Sequence, residues 1–156
     1  MNALSKLHEL LKKIGQCLQS PVLLVIRLYW GYQFILTGHG KLAHLDRAAS
    51  YFASLHIPAP KVNVMAASTA ELVCGALLIL GLFSRFASLA LICVMTVALC
   101  TAFHSELVNV FSDPDKLLAA DPFLFLYAAV VVFAFGPGLL SVDALVGKET
   151  RSWSVK

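Results

Sequence analysis

The chain has 156 residues, 59% of them hydrophobic and only 13% charged, with a mean hydropathy of +0.80. A soluble domain is about a quarter charged, so this composition argues against an ordinary soluble enzyme and for a membrane protein. The net charge of +3 is accounted for by basic residues flanking apolar runs and calls for no nucleic acid partner.

Residues 1–17 are amphipathic and basic, with Leu4, Leu7, Leu11 and Ile14 on one side and Lys6, Lys12 and Lys13 on the other. They lack an apolar core followed by a small-residue cleavage site, so an interfacial helix is expected. Four apolar runs follow, at about residues 18–38, 63–83, 87–103 and 117–135. Each approaches the roughly 20 residues that cross a bilayer core. The expected fold is an all-α membrane protein, a four-transmembrane-helix bundle spanning 18–146, with a polar tail at 147–156.

The first run closes on Gly38-His39-Gly40-Lys41, where two glycines are expected to stop the helix. The next connection is the longest. It holds an amphipathic piece at 47–56 and a break at Pro58 and Pro60, and is expected to lie on the membrane surface or fold over the bundle as a lid. Runs two and three are joined by Gly81-Leu82-Phe83-Ser84-Arg85, short enough to make an antiparallel hairpin. Asp113-Pro114 and Asp121-Pro122 both read as helix starts, with the aspartate as cap, so a short surface helix precedes the last span. Gly136-Pro137-Gly138 ends that span. Small residues recur at helical spacing, Gly31 with Gly38 and Ala67 with Glu71 and Gly75, as close helix packing in lipid requires.

Lys and Arg set the orientation. With the N-terminus cytoplasmic, seven basic residues (Lys6, Lys12, Lys13, Arg85, Lys148, Arg151, Lys156) lie inside and four (Lys41, Arg47, Lys61, Lys116) outside. That balance favours both termini on the cytoplasmic side.

Two ionisable residues fall deep in apolar runs, Arg27 and Glu71. Each costs at least about 2.5–3.5 kcal/mol at such a depth and persists when it faces a bundle interior or a partner. Taking Gly38 and Asn63 as the outer span ends, Arg27 lies roughly 16 Å down, Glu71 roughly 12 Å and Gln33 roughly 8 Å. The expectation is an outward-opening pocket floored by an Arg27–Glu71 pair, with Gln33 above it and His39, Lys41 and His104 around the mouth. Against this stands a pair that only fixes helix register, or an Arg27 that snorkels away from a protonated Glu71.

Other residues carry less. Cys17, Cys74, Cys93 and Cys100 form no C-x-x-C pair and read as apolar packing residues. His39, His44 and His56 lack metal-ligand spacing, and no metal site is expected. Tyr29, Trp30 and Tyr32 read as lipid or helix contacts, a ring-stacking ligand site being the minor alternative. No Walker motif, dinucleotide fingerprint or nucleophile elbow is present.

Across residues 22–146 the chain resembles the DoxX family of small four-helix membrane proteins. The resemblance rests on Arg27 with Gly31, Phe34 and the Gly38-His39-Gly40-Lys41-Leu42 exit, on Phe52 with Ile57-Pro58, and on the run from Glu71 through Gly75, Leu77 and Gly81 to Arg85. Ala98, His104 and Gly136-Pro137-Gly138-x-x-Ser141-x-Asp143 complete it. It departs where Asp121 stands in place of the glutamate many relatives carry before the last span. The resemblance implies a prokaryotic plasma-membrane bundle, with namesakes linked to a thiosulfate:quinone oxidoreductase.

The expectation is therefore a redox-associated membrane subunit whose pocket binds quinone or another small hydrophobic ligand through Arg27, Gln33, Lys41, Glu71 and His104. Glu71 and His104 are the candidate proton-transfer residues. Electrons would come from a partner oxidoreductase subunit, because the chain has no cofactor motif of its own. The alternatives are a non-catalytic scaffold for a partner enzyme and a small-molecule transporter, the latter as a homo-oligomer.

Overall fold

The computed structural model describes residues 3–146, with seven helices from Ala3 to Phe135, a further helical stretch at 142–146 and, among the described residues, no strand. The polar tail at 147–156 lies outside them. Two long helices pack antiparallel at the centre, α1 (Ala3–Ala43) and α3 (Pro60–Leu80), joined by α2 (Leu45–Ser54). Then come α4 (Ser84–Ala102), the short α5 (His104–Val108) and α6 (Pro114–Leu118), and α7 (Asp121–Phe135), which packs on α4. By length and hydropathy, α3 and α4 are the two described helices able to cross a membrane. α7 is apolar but shorter, and α1 is long but interrupted by Arg27 and Gln33.

Glycine sets how close α1 and α3 come. A Cβ on Gly31 would lie 2.8 Å from the carbonyl oxygen of Gly75, and a Cβ on Gly75 would lie 2.8 Å from that of Gly31. One end higher, a Cβ on Gly38 would lie 2.7 Å from the Ser68 carbonyl oxygen. The backbones touch because neither residue has a side chain, the close approach that membrane helices use in place of a hydrophobic drive. Beside this seam, Phe34 and Leu78 join Leu91, Met95, Ala129 and Val132 in one apolar core. Phe125 packs edge-on against Phe34 at 4.7 Å and Trp30 at 5.0 Å, tying α7 to α1.

Three sequence expectations change. The first helix does not stop at Gly38 and Gly40 but continues to Ala43, because Gly38 is used for contact with α3 and not for a turn. The amphipathic segment is no separate interfacial helix: from Ala3 it continues through Pro21 into the apolar run. Asp121 is not the cap of α7 but lies within its first turn, behind Ala120, where a carboxylate still complements the helix dipole. Asp113 does hold the cap position of α6, though its carboxylate pairs with Lys116 at 2.8 Å and caps no amide.

Candidate functional site

Polar side chains buried in the bundle gather at two levels, and Arg27 and Glu71 fall on different ones. Glu71, on α3, is completely buried. Its Oε1 accepts a 2.6 Å hydrogen bond from Nζ of Lys41, which the continued last turn of α1 brings over it. Its Oε2 is also buried and has no hydrogen-bond partner among the described residues. Lys41 is one-third exposed, so its stem reaches inward from the edge of the bundle while its ammonium meets the carboxylate.

Arg27 lies ten residues of α3 away, about 15 Å, at the level of Gly81. A Cβ on Gly81 would lie 2.9 Å from the Arg27 guanidinium carbon, so glycine is needed there both for that contact and for φ +68°. The guanidinium donates to the carbonyls of Pro137 and Leu140, the latter at 2.9 Å. The expected Arg27–Glu71 pair is therefore absent from the fold: each charge has found a different partner. The glycine contacts explain why. Gly38 is level with Ser68 and not with Asn63, which shifts α1 against α3 by about five residues, or about 7 Å.

The Arg27 level is a clasp. Asp143 accepts from the backbone N–H groups of Phe83 at 2.8 Å and Ser84 at 2.9 Å, capping α4, and donates its own N–H to Gly81 at 2.9 Å. Leu139 N–H donates to Ser20 Oγ at 2.8 Å, and Ser141 Oγ donates to the Gly138 carbonyl at 2.7 Å. Gly136 and Gly138 take positive φ to make the turn that presents these groups. Four orphan amides at a helix start need partners, and here a residue sixty positions later supplies two of them.

The Glu71 level opens on a cavity of about 660 Å³. α3 gives it Ala66, Ala67, Ala70 and Glu71, and α4 gives Ala90, Cys93, Val94 and Ala98. Tyr51 and Phe52 of α2 and Leu55 just after it also line it, as do Lys41 and Pro122. Alanines make the room and α2 supplies bulky apolar side chains. The cavity is thus a greasy chamber with one ion pair in its wall.

Of the expected site residues, the structure brings Lys41 and Glu71 together in that wall. Gln33 instead donates to the Tyr29 hydroxyl at 3.3 Å, and His39 and His104 are exposed. None of these three, nor Arg27, lines the chamber. Among the described residues, no group of three His, Cys, Asp or Glu is placed to share a metal ion. The residues that sequence reasoning missed are Tyr51, Leu55, Cys93 and Thr101. The small residues of α4 were a usable signal, since an alanine-rich face opposite a carboxylate leaves space.

Fold and site together define an all-helical integral membrane protein with a half-open, mostly apolar chamber. The DoxX family model matches residues 22–105, and the chain belongs to that family. It is also 28% identical over 142 residues to a protein of Haemophilus influenzae named only as uncharacterized, covering 84% of this chain and 88% of that protein. No solved structure matches it.

Proposed function

We propose that α1, α3, α4 and α7 all cross the plasma membrane of a prokaryote, both termini being cytoplasmic, and that the chamber binds a neutral, largely apolar molecule bearing a carbonyl. Quinones are the class that fits, and the protein then serves as the membrane subunit of a partner oxidoreductase that supplies the electrons. The observation that carries this reading is the Lys41–Glu71 pair in the wall of a mostly apolar cavity.

An ammonium has three donors, and Glu71 occupies one of those of Lys41. A second is available for a ligand carbonyl. The pair is neutral overall, so a neutral ligand enters without adding charge to the chamber, whereas an anion would carry an unpaired charge into apolar surroundings. Reduction of a quinone consumes protons, and Lys41 reaches from the bundle edge, one-third exposed, to the chamber wall. It is the group placed to pass a proton inward.

The test is mass spectrometry of the organic extract of protein purified in mild detergent, on the wild type and on Ala98→Phe, which fills the chamber. Near-stoichiometric quinone in the first, lost in a folded Ala98→Phe, supports the reading. Absence of quinone from well-folded wild type, even after it is added back, overturns it and favours a membrane scaffold.

A further inference from the structure

A second hollow lies on the neighbouring face of α3. It is a groove of about 650 Å³ lined by Val62, Met65, Thr69, Val73 and Cys74, together with Ala66 and Ala70. Those last two residues also line the chamber. One helix thus carries the chamber on one side and the groove on the other, and the ridge between them consists of two alanines one turn apart. The groove runs about 18 Å along the helix, and Val62, Met65 and Val73 within it are exposed at the protein surface.

We infer that the chamber takes the head of a single-chained amphiphile whose tail leaves over Ala66 and Ala70 and lies in the α3 groove, in contact with the bilayer. This rests on the binding reading above and adds the shape of the ligand and its route. Two features support it. The two hollows share Ala66 and Ala70 on α3. The chamber wall holds both a donor for a carbonyl head, the Lys41 ammonium, and a fully buried Glu71 oxygen, unpartnered among the described residues, that can accept from the hydroxyl of the reduced head. A polar head has a reason to enter the chamber, and a tail needs a way out that stays apolar. Lipid chains are as apolar as the groove, so the tail gains little affinity there. The groove acts by letting tailed molecules in.

The test uses two probes with one head, 2,3-dimethoxy-5-methyl-1,4-benzoquinone and the same ring with a decyl chain. Cys93 lines the chamber, so chamber occupancy is read as protection of Cys93 from N-ethylmaleimide, in protein whose other three cysteines are replaced by serine. Thr69→Trp and Val73→Trp each place a bulky ring in the groove without touching the chamber wall. Comparing variant with wild type for each probe cancels the probe's partition into the bilayer.

In Thr69→Trp the decyl probe should need about tenfold more for half-protection, a loss of about 1.4 kcal/mol, while the tail-free ring protects as in wild type. Val73→Trp should act the same way and covers the case in which Thr69→Trp does not fold. An unchanged decyl curve in either folded variant overturns the tail route and leaves the chamber reading standing. Failure of both probes to protect wild-type Cys93 overturns the chamber reading itself.

Discussion

Gly31 and Gly75 face one another so closely that a methyl group on either would sit 2.8 Å from the other's carbonyl oxygen. Backbone cannot yield as a side-chain tip can, so Gly31→Ala or Gly75→Ala must push α1 and α3 apart. Overpacking of this kind costs about 1–3 kcal/mol. The thermal midpoint in detergent should fall for each, whereas Gly40→Ala, whose Cβ meets nothing within 4 Å, should leave it unchanged or raise it. Equal effects at all three positions would contradict the seam.

The Lys41–Glu71 pair should respond asymmetrically. Lys41→Met leaves a buried carboxylate without its cation, a loss of about 3–5 kcal/mol. Glu71→Gln leaves a lysine that is one-third exposed and able to turn outward, so its cost is smaller. The double variant Lys41→Met/Glu71→Gln should be more stable than Lys41→Met alone. Additive losses in that cycle would mean the two groups do not interact.

Asp143 offers a graded series. Its two carboxylate oxygens serve the amides of Phe83 and Ser84, and loss of a capping side chain costs about 0.5–2 kcal/mol. Stability should descend from wild type through Asp143→Asn, which keeps one acceptor, to Asp143→Ala. Hydrogen exchange at the start of α4 should accelerate in the same order.

Arg27→Lys should separate stability from binding. A lysine cannot reproduce two guanidinium bonds to the Pro137 and Leu140 carbonyls, so the thermal midpoint should drop. Protection of Cys93 by the tail-free quinone should not change, because the clasp and the chamber are separate levels of the bundle. A parallel loss of binding in folded Arg27→Lys would put Arg27 back in the ligand site.

Asp46 on α2 takes a 2.9 Å ion pair from Lys61, and that hydrogen bond holds its carboxyl below the usual range. A lowered carboxylate contributes above its unfolded value, and the contribution fades as pH falls through the folded one. Both groups are highly exposed, so Asp46→Asn should change the thermal midpoint little at neutral pH. Added salt should erase what difference remains.

Much of this architecture was legible in the chain. The positions of the apolar runs and the tight 81–85 link are local features, and helices do begin at both Asp-Pro steps, although neither aspartate caps its helix. The spacing of Gly31 and Gly38 gave the contact face of α1. It did not give the level of α1 on α3, which depends on which glycine meets which partner, and the Arg27–Glu71 pairing failed on that point. The role of Asp143 was hidden for a related reason: its acceptors serve amides sixty residues earlier, and no periodicity links the two. Lys41 was named, but its true partner emerges only when α1 runs on past Gly40.

The clasp also imposes an order on assembly. Pro137, whose carbonyl receives the Arg27 guanidinium, is made 110 residues after it, and the cap of α4 arrives about sixty residues after the helix it closes. During synthesis Arg27 and the first amides of α4 are therefore made well before the groups that satisfy them. Residues 137–143, near the end of the described chain, thus close contacts to both its first helix and the start of its fourth.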